Sequence, residues 1–488
     1  MAEQTLKEKT ANGLFWGGLS KGVQQILGAC FGVYLARVLN AEDYGLIGML
    51  AVFSGIANAI INSGFSVALT NKKDANHKDY NAVFWFTFFV GLFCYLILFF
   101  SAPLIAEFYK RPELISLSRI VFLNFFFSGI ASVSYTILFK RLAVKLQAMI
   151  DIIMILVSSV VGVILAAYGY AYWALALQNF VYVAGGAVLR LIISPWKPTL
   201  DIDFSPLRGL FSFSMKLFLT SIVQQVNANI FSVVLGRFYD ARQVGFYTQG
   251  NKWLVMAVQP ISGMLNMVAQ PVFVEIFSDT ERQLGVVRKM LRFGSFVSFP
   301  LMFGLAFIAE DFILVAIGDK WLPSVPILQI LCVWGAFNFI YTLYIQLLIS
   351  RGRSDLILVG NVFQGIVQIV SVFLVCQWGI LAMAFVYVGV YMLFLVYWGY
   401  FVNREINLTV TMILRDIKPY LFITGVVLAI AYLFTKDIEN HVFSLVVKIL
   451  TSVLFYVLIM LCSKSVLFYE SVEYLKKWQE CLKVKLKF

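Results

Sequence analysis

Three lysines stand where a lysine is costly. Lys21, Lys216 and Lys252 each lie about seven or eight residues inside an apolar stretch, about 11–12 Å deep at the helical rise of 1.5 Å per residue. An ammonium at mid-helix costs roughly 2.5–3.5 kcal/mol on insertion scales. Such a group either meets an anion in a cavity or reaches back to the interface along its own stem. Polar residues extend the same faces at helical spacing: Gln24 and Gln25 beyond Lys21, Gln259, Asn266 and Gln270 beyond Lys252, and Thr220, Gln224 and Asn227 beyond Lys216. Four more stripes run through other apolar stretches: Ser54, Asn58 and Asn62; Asn124, Ser128, Ser132 and Thr136; Asn338, Thr342, Gln346 and Ser350; and Asn361, Gln364, Gln368 and Ser371. One amide or hydroxyl alone is explained by an interhelical hydrogen bond, worth about 0.6–2 kcal/mol. Seven stripes together are expected to line a hydrated lumen whose amides and hydroxyls suit a glycan.

No carboxylate lies mid-span: Glu107, Asp151, Glu275, Glu310 and Asp311 all fall near the ends of apolar stretches. Lysines without carboxylates favour an anionic substrate, and a long amphipathic phosphate ester is the natural one in a membrane. Lys448 is read as snorkelling. Arg37 and Arg237 occupy equivalent helix ends near Glu42, Asp43 and Asp240, and are expected to form gate or loop-anchoring pairs rather than to touch the ligand.

The inventory for covalent chemistry is thin. The two histidines, His77 and His441, lie in expected loops, and the six cysteines are scattered without C-x-x-C spacing. No phosphate-binding loop, nucleophile elbow, zinc motif or dinucleotide fingerprint is present. No catalytic residue, metal or cofactor is expected, and an ATP-driven pump or redox enzyme is disfavoured.

The elements that position these residues follow from composition. Of the 488 residues, 61% are hydrophobic and 13% charged, about half the charged share of a soluble domain. The surplus apolar surface must face lipid. Windows of about 20 apolar residues place fourteen transmembrane helices near 13–38, 44–70, 81–106, 114–139, 148–168, 171–193, 209–236, 244–271, 293–317, 325–349, 356–377, 379–402, 418–435 and 443–462. With a cytoplasmic N-terminus, 26 of the 38 lysines and arginines fall on the cytoplasmic side and eight outside, which satisfies the positive-inside rule. The net charge of +12 is then topological, drawing anionic phospholipids rather than nucleic acid.

The first and seventh spans align without gaps at an offset of 200. Gln24, Gln25, Phe31, Val33, Leu35, Arg37, Ala41 and Gly45 match Gln224, Gln225, Phe231, Val233, Leu235, Arg237, Ala241 and Gly245. Later the offset becomes 210: Arg141 falls on Arg351 and Gly169 on Gly379, with the extra residues assigned to a longer basic loop at 275–292. Six spans per repeat give two lobes in the same orientation, suited to alternating access by rocking. The expected domains are an N-lobe at 1–200, a C-lobe at 201–405, appended helices 13 and 14 at 406–463, and a cytoplasmic amphipathic tail at 464–488. The joint at 194–208, with three prolines, is read as a hinge-like linker. The fold class is an all-α polytopic membrane protein.

The stretches ARVLNAEDYGLIGML, NSGFSVALTNKK, YNAVFWFTFFVG, APLIAEFYKRPELISLSR and GYAYWALALQ resemble the multidrug/oligosaccharidyl-lipid/polysaccharide (MOP) flippase superfamily, in its polysaccharide exporter branch of the colanic-acid and teichuronic-acid (Wzx-like) type. The resemblance spans essentially the whole chain, most clearly 10–280. It implies two six-helix lobes in a V around a central cavity. It also implies translocation of undecaprenyl-diphosphate-linked oligosaccharide across the bacterial inner membrane, both termini being cytoplasmic. Basic residues in spans 1 and 8, here Lys21 and Lys252, would meet the diphosphate, and helices 13 and 14 would line a lipid groove as in the lipid II flippase branch. A monomer with transient contact to a polysaccharide polymerase is expected. The competing readings are a cation-coupled multidrug antiporter, disfavoured by the missing mid-span carboxylate, and a membrane glycan polymerase or ligase, disfavoured by the short loops.

Overall fold

The computed structural model describes residues 6–61, 64–72, 74–141, 143–463, 468 and 473, with backbone alone at 6–15, 57, 58, 60, 61, 64, 67, 71, 208–214, 216 and 217. The described residues form helices joined by turns, and none is in a strand. The first repeat comprises α1 (Leu6–Val38), α2 (Ala41–Met49), α3 (Ala51–Ile61), α4 (Gly64–Asn71), α5 (His77–Tyr109), α6 (Leu114–Lys140), α7 (Val144–Ala167) and α8 (Tyr172–Ile193). The second comprises α9 (Arg208–Phe238), α10 (Ala241–Glu275), α11 (Thr280–Ala316), α12 (Ser324–Ser350), α13 (Ser354–Leu374) and α14 (Ile380–Ile406), followed by α15 (Val410–Thr435) and α16 (His441–Cys462). The expected amphipathic tail helix lies, apart from Phe468 and Glu473, outside the described residues.

Eleven described helices are long and apolar enough to cross a bilayer, or twelve if α1 and α2, bent by 119°, make one broken span. The difference from fourteen has a local cause. The stretch at 44–70 is divided among α2, α3 and α4 rather than forming one rod. In α10, Lys252, Gln259, Asn266 and Gln270 dilute the apolar residues along 35 residues of helix.

The repeat is visible in helix boundaries. α1 and α9 end 200 residues apart, and α2 and α10 begin 200 apart. α6 and α12 both begin and end 210 apart, and α7 and α13 begin 210 apart. Gly169 and Gly379 both have positive φ, 79° and 95°, where a side chain would strain the backbone. The extra residues do not sit in a loop at 275–292: α11 begins at Thr280 and, at 37 residues, is four longer than α5. Asp279 starts it early by accepting the Arg282 N–H at 2.9 Å, an ordinary N-cap. The most buried apolar windows are those of the equivalent helices α6 and α12, at 56% and 61%, whereas that of α16 is 6% buried.

The chain falls into two compact units, 1–249 with 358–387 and 250–357 with 388–488. In the first, α1 packs on α7, α7 and α6 on α8, and α3 and α4 on α6 and α9. The closest approach joins the repeats. A Cβ on Gly45 would lie 1.7 Å from the Ala241 carbonyl oxygen, and one on Gly245 would lie 1.8 Å from that of Ala41. Reciprocal contacts of this kind are what a local two-fold relation requires.

In the second unit α11 packs against α12, α15 and α16 and is tied to the last two near both its ends. Arg288 grips Asp416 of α15 through Nε at 2.7 Å and Nη2 at 3.1 Å. Asp311 accepts from Lys448 Nζ at 2.6 Å and Ser444 Oγ at 2.9 Å and meets His441 Nδ1 at 2.7 Å. Lys448 therefore does not snorkel; it pairs with a carboxylate whose side chain is 5% exposed.

The joint at 194–208 is tied to α5 by hydrogen bonds. The Trp85 indole donates to the Thr199 carbonyl at 2.7 Å, Thr199 N–H donates to Asn81 Oδ1 at 2.9 Å, and Asn81 Nδ2 donates to the Asp201 carbonyl. Further on, the Ser205 N–H and hydroxyl hold the Asp203 carboxyl below its usual range.

Candidate functional site

In the first unit Lys21 is exposed on α1, and Gln24 and Gln25 are half-buried beyond it. Gln24 Nε2 donates back to Ser20 Oγ at 2.8 Å. On α9 Gln224 is exposed, while Asn227 Nδ2 donates to the Asn361 carbonyl of α13 at 2.7 Å. Asn62 and the side chains of Asn58 and Lys216 lie outside the described residues.

In the second unit Lys252 is half-buried, with its ammonium 5.5 Å from the Trp253 ring, a cation–π approach. Trp253 meets Phe312 edge-on at 4.9 Å. Gln259, Asn266 and Gln270 are exposed further along α10. Neighbouring α12 supplies amides to the same helix: Asn338 Nδ2 to Ser262 Oγ at 2.9 Å and Gln346 Nε2 to Asn266 Oδ1 at 2.7 Å.

Not every stripe belongs to a lumen. Asn124, Ser128, Ser132 and Thr136 of α6 are all buried. Asn124 Nδ2 donates to Asn179 Oδ1 at 3.3 Å, Ser132 shares a hydrogen bond with Ser66 at 3.0 Å, and Thr136 bonds its own helix. Asn361, Gln364 and Gln368 of α13 are buried as well, with Gln368 Nε2 on the Tyr387 carbonyl at 3.1 Å. These two stripes hold helices together.

Arg237 Nη1 donates to the Phe108 carbonyl at 2.9 Å, which anchors α9 to the end of α5, and Arg37 is exposed at the end of α1. Glu42 is taken by Arg111 at 2.7 Å, and Asp240 caps α10 through the Gln243 N–H. The sequence missed two carboxylate pairs. Asp151 binds Arg190 between α7 and α8, and Asp311 binds Lys448. Both lie within helices long and apolar enough to cross a membrane, and both carboxylates are neutralised by a cation.

The described residues contain no cluster of metal-ligating side chains. The exposed polar side chains are cationic or amide: Lys21 on α1 and Gln224 on α9 in one unit, Gln259 and Asn266 on α10 in the other. Such groups donate to phosphate and sugar oxygens.

Residues 34–326 match the family model described as polysaccharide biosynthesis protein. The chain belongs to that family. It is 26% identical over 361 residues to the teichuronic acid biosynthesis protein TuaB of Bacillus subtilis, covering 72% of this chain and 73% of the relative. It is 24% identical over 366 residues to the lipopolysaccharide biosynthesis protein WzxC of Escherichia coli, covering 74% of each. Among solved structures it shares the fold of the lipid II flippase MurJ in an inward closed conformation, with a TM-score of 0.76, 16% identity, and 93% of this chain and 99% of that one covered. An inward-facing multidrug resistance transporter of the MOP superfamily matches with a TM-score of 0.64, 14% identity, and 79% and 96% covered. The protein is thus a multi-pass helical membrane protein of the polysaccharide biosynthesis family.

Proposed function

We propose that this protein is a flippase that moves lipid-linked oligosaccharide repeat units across the bacterial inner membrane for surface polysaccharide synthesis. The observation that carries the reading is the whole-chain likeness to a lipid II flippase fold in a chain of the polysaccharide biosynthesis family. In this reading the carrier is undecaprenyl diphosphate. Lys21 and Lys252, with Lys216, offset the dehydration of the diphosphate, while Gln24, Gln25, Asn58, Asn62, Gln224 and Gln259 take sugar hydroxyls. The two repeats form two six-helix lobes, N-lobe 1–200 and C-lobe 201–405, that rock in alternating access. Counting α1, α10 and the α2–α4 segment as spans beside the eleven gives fourteen, with both termini cytoplasmic.

Charge adds a directional term, whether or not a proton or sodium ion is coupled. A net anion moving outwards gains about 2.3 kcal/mol per charge per 100 mV of membrane potential. A cationic-drug antiporter would need a carboxylate for its cargo, whereas Asp151 and Asp311 already hold Arg190 and Lys448. Mass spectrometry of lipid-linked intermediates after deletion tests the proposal. One complete repeat unit is expected to accumulate on the cytoplasmic leaflet. Normal surface polysaccharide with no accumulated intermediate would overturn it.

A further inference from the structure

At the end of the first unit where α4 leads into α5 and α6 into α7, a cavity of about 320 Å³ is lined by His77, Tyr80, Ile137, Lys140, Arg141 and Trp196. That volume lies at the lower end of the about 300–1,000 Å³ typical of small-molecule sites. Its chemistry is one-sided. Among the described residues two basic side chains line it, and no carboxylate does. The acid in the first turn of α5, Asp79, is 2% exposed and already spent on Lys72 at 2.7 Å.

The walls are fixed by hydrogen bonds that leave the cationic groups in place. The Trp196 indole N–H donates to His77 Nδ1 at 2.9 Å, and the other ring nitrogen lies 3.1 Å from Thr199 Oγ1. Accepting at Nδ1 puts the proton of a neutral ring on Nε2, which then donates to Thr199. His77 is therefore a wall and a strap for the 194–201 segment. Lys140 Nζ donates to the Lys72 carbonyl at the end of α4. An ammonium has three donors, so two remain for a ligand.

Arg141 decides the matter. It is the residue after the last turn of α6, it is exposed, and among the described residues its guanidinium has no hydrogen-bond or ion-pair partner. Its equivalent 210 residues on, Arg351 after the last turn of α12, is engaged. Arg351 Nε donates to Gln283 Oε1 at 3.0 Å, Nη2 reaches the same amide, and the guanidinium lies 4.8 Å from the Phe277 ring. The same position thus carries a structural arginine in one repeat and an unengaged one, facing an aromatic-walled cavity, in the other.

We propose that the cavity formed by Arg141, Lys140, Tyr80, His77 and Trp196 is a binding site for a phosphate ester, the guanidinium and ammonium taking the phosphate oxygens and the aromatic walls packing the group it carries. An arginine fork matches phosphate geometry, and aromatic faces suit a sugar ring or a glycerol headgroup. The ligand is either a soluble sugar phosphate or the headgroup of an anionic phospholipid. Either would bridge the end of α6 to the strapped linker between the repeats, so occupancy should stiffen that joint.

The test uses the full-length protein purified in detergent or in nanodiscs, and does not depend on the transport activity. Thermal unfolding and a binding isotherm are measured with glucose 1-phosphate in detergent, and unfolding is measured in phosphatidylcholine nanodiscs with and without phosphatidylglycerol. Saturable stabilisation by glucose 1-phosphate assigns the site to soluble esters; stabilisation only with phosphatidylglycerol assigns it to lipid. In whichever arm responds, Arg141→Gln should weaken the response at least about tenfold, the loss of one charge-assisted contact. Arg141→Lys should restore part of it, and Arg351→Gln should lower the baseline stability yet keep the response. No response in either arm, or an undiminished response in Arg141→Gln, overturns the proposal.

Discussion

At the residue scale, the same side chain means different things according to what stands opposite it. Lys21 and Lys252 lie on faces with amides and no carboxylate of their own helix, whereas Lys448 is locked onto Asp311. At partly wet sites a close pair of unit charges is worth roughly 4 kcal/mol at an effective dielectric of 20. Losing one of two or three such contacts to a diphosphate should cripple capture without unfolding the protein. Lys21→Ala and Lys252→Ala are each expected to abolish polysaccharide export at near-normal membrane levels, read by surface-glycan staining against a blot. Full export by the double variant would reduce both lysines to snorkelling. Lys448→Ala has a different signature. Removing one partner of a buried pair costs about 3–5 kcal/mol, and Ser444 and His441 still donate to Asp311, so the low end applies. Its melting temperature should drop, and adding Asp311→Ala should recover part of the loss because no orphan charge then remains. A wild-type melting curve for Lys448→Ala would count against the pair. These partners are 137 residues apart in the chain, which is why composition and spacing gave no hint of them.

At the scale of elements, what was legible was whatever depends on local period. The apolar windows and the Arg37/Arg237 and Gly45/Gly245 correspondences can be read along the chain, and they fall at matching helix ends. Orientation about a helix axis is a tertiary matter. The stripes Asn124–Thr136 and Lys252–Gln270 look alike as text, yet the first is buried between α5 and α8 and the second is largely exposed. Side-chain length does not separate them by itself. Serines and threonines every four residues let helices approach closely and bond across, yet Gln364 and Gln368 of α13 are buried too. Close approach yields its own prediction. A methyl on Gly45 or Gly245 would collide with a backbone carbonyl at 1.7–1.8 Å, and carbonyls held in two helices cannot step aside as a side-chain tip can. Gly45→Ala and Gly245→Ala should each lose at least about 1–3 kcal/mol, the usual cost of overpacking, and by similar amounts because the contact is reciprocal. A melting curve on the purified variants measures this; a neutral result at either position would mean that the two backbones are further apart.

For the whole molecule, the arginines and lysines do double duty, and that shapes how orientation can be tested. Arg288 and Arg292, counted among the cytoplasmic charges, also hold Asp416 at 2.7 and 3.7 Å, so deleting them would confound topology with the docking of α15. Loop positions around α5 are cleaner. This helix has 33 residues and is therefore about 50 Å long, well beyond the about 30 Å hydrocarbon core, so both its ends lie outside the apolar layer. Asn76 caps it by accepting the Asp79 N–H at 3.0 Å and should be left alone. Asp74 is exposed in the preceding turn. At the other end Arg111 makes only a surface pair with Glu42, a kind worth about 0–1 kcal/mol. With the six native cysteines replaced by serine or alanine, Asp74→Cys and Arg111→Cys should be labelled by an impermeant thiol reagent from opposite sides. The 26-to-8 division of basic residues puts Asp74 inside and Arg111 outside, so intact cells should label only Arg111→Cys and inverted vesicles only Asp74→Cys. The reverse pattern would invert the protein and turn the lysine faces toward the wrong compartment for capture. Labelling of both from one side would mean that α5 does not cross at all, and the orientation of every helix counted from it would fail with it.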